Sequence, residues 1–455
     1  MVRLGSYRIF DGSGAEPFGG HLSVSRGRIS DVRSAAVGAG AASSGGISLE
    51  GFAILPGLID AHSHLGSVVQ PHGSAVPLAV VAAQIFENAH IALDEGFTTV
   101  RDVAGLDGGL VAAIRRELVG GPRILPSGPM LSQHGGHADW RPVFDHGPLR
   151  ESLPGLVQPS VLVAGASQMR VAARTALRDG ATQLKVAISG GFSSDGEAPD
   201  DVQFGLEELR AAVEVAHSRH TYVTAHAHYS ESIRLGLLAG IECFEHATFV
   251  DADTVDELRR HQAAVVATLS VVERYQDPAI RERLRAEVAE QAAEAFPAMC
   301  RMVKMAIASG VTVGSGSDQV GPEQRGRARE LAVRARVTSP LEAITAATGK
   351  NAGILRLRGV VGQLVDGWVA DLIAVEGDPV SEPELLADPS RVRLVVKAGT
   401  IWRNTLPEPL ATEVAAAFSA EGSSTGELST QGGSEESASA AWSCVEEDRA
   451  SSSPP

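Results

Sequence analysis

The chain has 455 residues, of which 44% are hydrophobic and 21% are charged. This length and composition allow one large globular domain with a small one beside it. The formal net charge of -16 argues against nucleic acid as a partner, because phosphate binding requires the opposite sign. Three widely spaced cysteines predict neither a disulfide framework nor a thiolate zinc site.

Both ends of the chain have the pattern of short β-strands. The apolar runs are residues 7–10, 21–25, 28–32, 371–375 and 392–396. Two β-rich ends that bracket a long middle segment suggest that the ends pair with each other. We therefore predict one small, discontinuous β-domain from residues 1–55 and 358–410.

The middle segment, residues 56–357, alternates short apolar runs with longer alanine-rich patterns of helical period. Candidate strands begin near residues 53, 98, 183, 222 and 311. This alternation predicts a parallel α/β fold, and the length suits a (β/α)8 TIM-like barrel. An open, doubly wound sheet is the alternative, but no Gly-x-Gly-x-x-Gly motif follows the first strand, which argues against dinucleotide binding.

The C-terminal segment, residues 419–455, is rich in serine, glycine and glutamate and nearly free of large apolar residues. Such a segment cannot bury enough surface to offset its ordering entropy, so we predict that it is disordered. No apolar stretch of the chain approaches the roughly 18 residues needed to span a bilayer. The N-terminus also lacks the apolar run of a signal peptide. We expect a cytoplasmic protein with no membrane partner.

Two histidines, His62 and His64, follow the first apolar run of the middle segment. Side chains of a strand alternate between its faces, so both imidazoles point the same way. Two imidazoles at the C-terminal end of a barrel strand can hold one cation such as zinc. The alternative is a pair of ordinary histidines at a strand end.

Four more residues with chemical potential follow later candidate strands: Lys185, His226, His246 and Asp318. A lysine within an apolar strand must reach solvent, form an ion pair or lose its charge. Asp318 lies in a glycine-rich turn, where it could be a turn residue or a ligand and general base. No residue of the four is decisive alone, but their order would place them around one barrel mouth.

With this order of residues, the chain resembles the amidohydrolase superfamily, and more narrowly the imidazolonepropionase-related branch that contains Xaa-Pro dipeptidases. The resemblance covers about residues 3–405. It implies two divalent cations, with zinc the expected metal, and a small β-sandwich made by the chain ends. It implies this ligand set: His62, His64 and Asp318 for the first metal, a carboxylated Lys185 as the bridge, and His226 and His246 for the second metal.

The function implied is hydrolysis of an amide bond by a metal-bridged hydroxide. Cations lower the pKa of bound water and polarise the scissile carbonyl. The catalytic residues would be Lys185, Asp318 and His137, with Asp318 passing a proton to the departing nitrogen. The substrate expected from the resemblance is an Xaa-Pro dipeptide.

Three residues are candidates for substrate contact. His137 lies in a glycine-flanked loop, where its imidazole could donate to a carbonyl oxygen. Tyr229 resembles a tyrosine that binds the substrate carboxylate in prolidase-like members, although it could instead pack with a satisfied hydroxyl. His228 could orient a ligand or could bind metal instead of His226.

Other functions stay open at this stage. Within the same chemistry, the substrate could be an N-acyl amino acid, as for a carboxypeptidase, or an aryl amide or a cyclic amide of the imidazolone type. A non-catalytic scaffold would be expected to have a broken ligand set, whereas all the positions here are filled. The expected partner is a small or dipeptide-like molecule, and nothing in the sequence excludes a homo-oligomer.

Overall fold

The computed structural model describes residues 1–34, 46–68, 76–149, 152–192, 194 and 196–423. Its strands, in chain order, are β1 (Val2–Ile9), β2 (Phe18–Ser25), β3 (Arg28–Ser34), β4 (Ile47–Ser48), β5 (Phe52–Pro56), β6 (Leu58–Ser63), β7 (Phe97–Asp102), β8 (Gly105–Leu106), β9 (Arg123–Pro126), β10 (Met130–Ser132), β11 (Val157–Gln158), β12 (Ser160–Leu162), β13 (Leu184–Ala187), β14 (Val223–Tyr229), β15 (Cys243–Phe249), β16 (Ala264–Ala267), β17 (Val313–Ser315), β18 (Leu372–Glu376), β19 (Val392–Lys397) and β20 (Thr400–Asn404).

Helices alternate with the strands of the middle segment. In chain order they are α1 (Leu78–Asp94), α2 (Gly108–Arg115), α3 (Gly165–Arg178), α4 (Leu206–His217), α5 (Ser230–Ala239), α6 (Ala252–Arg260), α7 (Leu269–Glu273), α8 (Pro278–Arg281), α9 (Ala286–Ala308), α10 (Arg329–Val337), α11 (Pro340–Thr345), α12 (Asn351–Ile354) and α13 (Leu410–Ser423). One turn of π-helix, Ala346–Lys350, joins α11 to α12. Within the described ranges, no helix combines the length and apolar character needed to cross a bilayer.

The two ends of the chain meet in one mixed sheet with the order β20-β19-β18-β5-β1-β2-β3, and β4 also pairs with β1. The junction is the antiparallel pair of β5 and β18, in which Leu372 lies opposite Pro56 and Glu376 opposite Phe52. Apolar side chains of this sheet pack with Val414 and Phe418 of α13. The predicted pairing of the chain ends is thus observed, whereas a second sheet layer of a sandwich stays a prediction.

The middle segment contains two parallel sheets. One has the order β6-β7-β9 and the other the order β12-β10-β13-β14-β15-β16-β17. The strands of the longer sheet are buried on both faces, since helices such as α4 and α9 cover them with apolar side chains. The prediction of a parallel α/β fold is therefore correct, and the choice between a closed barrel and an open, doubly wound sheet stays a prediction.

Side chains and backbone join the two parallel sheets where strands β6 and β17 lie side by side. The Asn351 amide donates to the carbonyl oxygens of Ile59 in β6 (2.7 Å) and Ser315 in β17 (2.8 Å). A Cβ atom at Gly316 would lie 2.3 Å from the Cβ of His62, so only glycine allows this approach. This contact brings the ends of β6 and β17, and hence His62 and Asp318, together.

The predicted domain boundaries can be compared with these elements. The limit between residues 55 and 56 falls inside β5, because Pro56 still pairs with β18. Helix α13 extends to Ser423 and so includes residues 419–423, which the composition assigned to the disordered tail. The remainder of that predicted tail, residues 424–455, lies outside the described residues.

Candidate metal centre and active site

Three donor atoms form a small triangle at the carboxyl ends of β6 and β17. His62 Nε2 lies 3.2 Å from His64 Nε2 and 3.4 Å from Asp318 Oδ1, and His64 Nε2 lies 3.2 Å from Asp318 Oδ1. Ligand atoms about 2.05 Å from a tetrahedral zinc ion are separated by about 3.3 Å. The triangle therefore has the donor types and the spacing that a divalent cation of this kind requires.

The electrostatics of the triangle favour an ionised carboxylate. Burial alone would raise the pKa of Asp318, but the charge of His62 and hydrogen bonds from His62 and His64 hold that pKa well below its usual range. Burial would lower the pKa of His62, yet the Asp318 and Glu245 carboxylates outweigh burial and raise it. For His64, burial dominates and lowers the pKa.

Charged side chains hold the triangle in place. His62 Nδ1 donates to Glu245 Oε2 (2.6 Å), so Nε2 is the ring nitrogen that faces the triangle, and Arg101 donates to Glu245 Oε1 (2.6 Å). Beside them, the Asp60 carboxylate accepts from the Ser317 amide (2.9 Å) and from Arg327 (2.7 Å). We call the triangle with these supporting residues the charged half of the site.

Three other histidines of the predicted site have neutral hydrogen bond partners. His246 Nδ1 bonds to the Thr268 hydroxyl (2.8 Å), and His226 Nε2 donates to the Gly190 carbonyl oxygen (3.1 Å). His228 Nδ1 bonds to the Thr248 hydroxyl (2.8 Å). We call these three histidines with their partners the neutral half of the site.

The neutral half meets the charged half at His246. The ring centres of His226 and His246 are 4.7 Å apart, and those of His62 and His246 are 4.8 Å apart. Donor atoms of His62, His246 and Asp318 all lie within 4.8 Å of one another. Burial lowers the pKa of His226 and His246 well below the usual value and that of His228 to about 3, so these imidazoles are neutral near pH 7.

Lys185 is the second residue of β13 and lies beside Thr224 of β14 in the parallel register. It is almost completely buried, and burial lowers its pKa to about 8, against the opposing effect of the Glu245 charge. A substantial fraction of its amine is therefore neutral at mildly alkaline pH. A neutral amine is the form that can add carbon dioxide.

His137 lies against the neutral half. Its ring stacks on that of His226 with centres 3.8 Å apart and an interplanar angle of 11°. His137 Nδ1 donates to Glu197 Oε1 (2.9 Å), and the other oxygen of Glu197 accepts from Gln203 (2.9 Å). A Cβ atom at Gly191 would come within 2.5 Å of the His137 ring, so a side chain there would displace it.

These residues line a cavity of about 310 Å³. Eight of the predicted site residues line the cavity: His62, His64, His137, Lys185, His226, His228, His246 and Asp318. Much of its wall is apolar and includes Met130, Trp140, Val157, Phe192, Val271, Val272 and Ile280. Such a cavity fits a partly apolar group next to the triangle.

Tyr229 differs from the other predicted site residues. Among the described residues that line the cavity, Tyr229 does not appear. It follows His228 by one position in β14, so its side chain leaves the strand on the other face. Its ring stacks on Phe249 (4.6 Å between centres) and its hydroxyl accepts from Gln291 (3.4 Å).

Comparison with known proteins identifies relatives over most of the chain. The model of the amidohydrolase family matches residues 53–402, which include every predicted metal ligand. The chain belongs to the amidohydrolase family. It is accordingly a hydrolase of amide bonds. Members of the family are generally metal-dependent, in keeping with the close donor atoms of His62, His246 and Asp318.

Individual relatives include ochratoxinase from Aspergillus niger, which is 30% identical over 363 residues, 77% of this chain and 75% of that protein. The crystal structure of that ochratoxinase superposes with a TM-score of 0.78 at 28% identity, over 90% of this chain and 97% of the other. A prolidase complexed with N-methylphosphonate-L-proline is 30% identical with a TM-score of 0.78, covering 89% of this chain and 99% of that one. A Xaa-Pro dipeptidase with bound methionine is 26% identical with a TM-score of 0.75, covering 89% and 100% of the two chains.

Several polar residues of this amidohydrolase site have no counterpart in the sequence analysis. Glu245 had a usable signal, because it is an acidic residue between the apolar pair Cys243-Phe244 and His246. Glu197 and Tyr275 lie outside the parallel strands, where no periodic pattern marks them. Backbone strain is a further mark that only the structure reveals: His246 and Asp318 have φ values of 68° and 53°, which cost about 1–3 kcal/mol each in non-glycine residues.

Proposed function

We propose that the chain is a binuclear metal-dependent hydrolase. The donor triangle of His62, His64 and Asp318 is the main observation that supports this function. His62, His64 and Asp318 would hold the first cation, and His226 and His246 the second. Lys185 would bridge the two as a carbamate. Cations bound there would acidify a water molecule and polarise the scissile carbonyl.

The side chains of this site would perform the remaining steps. Asp318 is ionised and lies at the cavity floor, so it can accept a proton from the attacking water and return it to the departing nitrogen. His137 donates from Nδ1 to Glu197, and its imidazolium form would also donate from Nε2 to the substrate carbonyl oxygen. His228 is neutral and stacks on His246 (5.0 Å between ring centres), so it would contact the substrate from the neutral half.

An Xaa-Pro dipeptide is the substrate that we propose first. The similarity to a prolidase and to a Xaa-Pro dipeptidase supports it, since each covers about nine-tenths of this chain. The second candidate is an N-acyl amino acid or aryl amide. The similarity to ochratoxinase and the apolar cavity wall of Trp140 and Phe192 favour that alternative.

The architecture that we propose for this function is a closed (β/α)8 barrel over residues 56–357. Two contacts support it. Asn351 joins β6 to β17, as described above, and at the other edge of the short sheet the Gln183 amide donates to the Leu125 carbonyl oxygen (3.2 Å). The chain ends, residues 1–55 and 358–410, would form the small domain beside it.

The deciding experiment is turnover of Xaa-Pro dipeptides beside N-acyl amino acids, with zinc-loaded wild type and Asp318→Asn. We expect the wild type to cleave at least one set and the variant to lose about 100- to 10,000-fold in kcat, because the proton acceptor is removed. Metal analysis of the wild type should give about two equivalents per chain. A metal-loaded wild type that cleaves neither set would contradict the proposal.

A further inference from the structure

Four fully buried polar side chains lie on one segment of the chain, residues 324–334, which leads into helix α10. They are Gln324, Arg327, Glu330 and Arg334. Among the described residues that line the cavity, none of these four appears. A buried polar group costs free energy unless it is hydrogen-bonded, so the partners of these side chains indicate what the segment does. We call residues 324–334 the polar segment.

Arg327 bonds to residues on both sides of His62, the first of the proposed metal ligands. Its Nη1 donates to the Asp60 carboxylate (2.7 Å) and to the Ser63 hydroxyl (2.7 Å). The Asp60 carboxylate also accepts from the backbone amide of His62 (3.2 Å). One buried guanidinium group therefore fixes the part of β6 from which the His62 imidazole leaves the strand.

The same guanidinium group is linked to the other two donors of the triangle. Its Nη2 donates to Gln324 Oε1 (3.0 Å), and the Gln324 amide donates to the His64 carbonyl oxygen (2.8 Å). The Asp60 carboxylate accepts from the hydroxyl (2.6 Å) and from the backbone amide (2.9 Å) of Ser317, which immediately precedes Asp318. Each donor of the triangle thus lies next to a group that the guanidinium bonds, directly or through one partner.

Glu330 bonds to the segment that supports the neutral half. Its two carboxyl oxygens accept from the backbone N–H groups of Leu269 (3.2 Å) and Ser270 (2.7 Å), the first two residues of α7. Thr268 is the N-cap of α7, where a threonine hydroxyl usually accepts from an N–H group of the first turn. In this chain the Thr268 hydroxyl makes no such bond and instead bonds to His246 Nδ1 (2.8 Å). Glu330 therefore caps the helix, which leaves the Thr268 hydroxyl for His246.

We propose that the polar segment positions the ligands of both cations. Arg327 positions the donor triangle of the charged half. Glu330 positions His246 of the neutral half, through the Thr268 hydroxyl. This proposal rests on the proposed binuclear function. The two residues are three positions apart and equally buried, yet they bond to different halves of the site. A general loss of stability would weaken the binding of both cations alike, whereas positioning roles predict that each residue affects one cation.

The test is a zinc titration of the metal-free protein, which resolves a tighter and a weaker binding step. The tighter step should be the first cation, because its ligands include the Asp318 carboxylate. Arg327→Met should weaken the tighter step about 10- to 100-fold, as expected for loss of a residue that supports metal ligands. Arg327→Lys keeps the charge but not the planar fork, so it should restore only part of the affinity. The lysine variant also decides the matter if the methionine variant fails to fold.

Arg123 provides the matched control for Arg327. It is also a buried arginine, and it donates to a carboxylate, that of Asp371 (2.8 Å), and to a hydroxyl, that of Thr99 (2.9 Å). It is the first residue of β9, at the opposite end of the strand from the metal centre. Arg123→Met should lower the free energy of unfolding measured with denaturant, because it leaves a buried carboxylate unpaired, and should leave both zinc steps unchanged.

Glu330→Gln tests the other half of the site. It keeps one acceptor oxygen and turns an amide group against the second backbone N–H group. It should weaken the weaker zinc step about fivefold, the effect of one lost hydrogen bond, and leave the tighter step unchanged. Thr268→Val should have the same effect, because it removes the hydroxyl that bonds to His246. The double variant should lose no more affinity than either single variant, since both changes break the same link.

The outcomes separate this inference from the proposed function. A wild type that binds no zinc contradicts the binuclear hydrolase, and the inference fails with it. If wild type binds two cations, equal weakening of both steps in the Arg327 variants, or no weakening of either step, overturns the positioning role of Arg327 alone. Additive losses in Glu330→Gln and Thr268→Val overturn the link from Glu330 to His246.

Discussion

The charged half and the neutral half of the site differ in what holds their histidines. In the charged half, His62 bonds to Glu245, which is itself paired with Arg101, and all three are buried. In the neutral half, His246 and His228 bond to threonine hydroxyls and His226 to a backbone carbonyl oxygen. The imidazole rings are chemically alike, but the groups to which they are hydrogen-bonded differ in charge.

This difference has a consequence for metal binding. A carboxylate that accepts a hydrogen bond from Nδ1 of an imidazole makes Nε2 of the same ring a stronger metal ligand. A hydroxyl group bonded to Nδ1 strengthens Nε2 less. The charged half also contains Asp318, the one carboxylate among the ligands that we propose. We therefore expect the first cation to bind more tightly than the second, and the following predictions test this inequality.

The largest effect is expected from removal of ligands. His62→Ala should lose nearly all bound metal, and its activity should fall more than about 100-fold. Loss of a residue that only supports a ligand already lowers metal affinity or activity about 10- to 100-fold. His226→Ala should keep about one equivalent of metal. Metal analysis after gel filtration measures both, and equal loss in the two variants would contradict the comparison.

A smaller effect is expected at the buried support. Glu245→Gln should lower metal affinity about 10- to 100-fold, since His62 loses its charged partner. It should also lower the free energy of unfolding by about 3 kcal/mol, because Arg101 is left as an uncompensated buried charge. Zinc titration and denaturant unfolding of the metal-free protein measure the two effects separately. An unchanged affinity would show that Glu245 has only a structural role.

Lys185, between the halves, allows a prediction about pH. Only the neutral amine adds carbon dioxide. With a pKa of about 8, roughly one-tenth of the Lys185 amine is neutral at pH 7, and this fraction rises with pH. Carbamate formation by metal-free protein should thus increase about tenfold from pH 6 to pH 7 and level off above pH 8. Isotope-labelled bicarbonate followed by NMR measures it.

A matched control for this experiment exists elsewhere in the chain. Burial also lowers the pKa of Lys397 to about 8. Lys397 lies in β19, in the sheet formed by the two chain ends, and its amine donates to the Gly121 carbonyl oxygen. Lys185→Met should abolish the carbamate signal, and Lys397→Met should leave it unchanged. The opposite pattern would place the reactive amine outside the site.

The smallest effect is expected in the neutral half. Thr268→Val removes one hydroxyl that bonds to His246, which costs about 1 kcal/mol and hence about fivefold in affinity for the second cation. Thr248→Val, which affects His228 alone, is the control. A loss as large as that in Glu245→Gln would show that the two supports are equivalent.

The terminal segments show how far local patterns predict the fold. Short apolar runs predicted β1, β2, β3, β18 and β19, because such runs depend only on neighbouring residues along the chain. Apolar runs between helical patterns predicted the parallel strands for a similar reason. The end of α13 and the place of Pro56 in β5 were not predictable, because pairing partners more than 300 residues away decide them.

The predicted site shows the same division. Histidines and an aspartate after apolar strands could be recognised from the sequence, since parallel strands present their carboxyl ends at one edge. The structure brings eight of the nine predicted site residues to one cavity and leaves Tyr229 outside it. Strand alternation already distinguished Tyr229 from His228, so this difference was accessible in principle.

The sequence by itself determined the types and the order of the donor residues and the strands that present them, because both depend on neighbours along the chain. Only the tertiary structure decided which donors meet, at 3.2–3.4 Å in the triangle, and which supports they receive. Glu245 with Arg101 and Glu197 with His137 are contacts between segments that are distant in the sequence. Such contacts depend on the packing of whole strands and helices, so no local pattern encodes them.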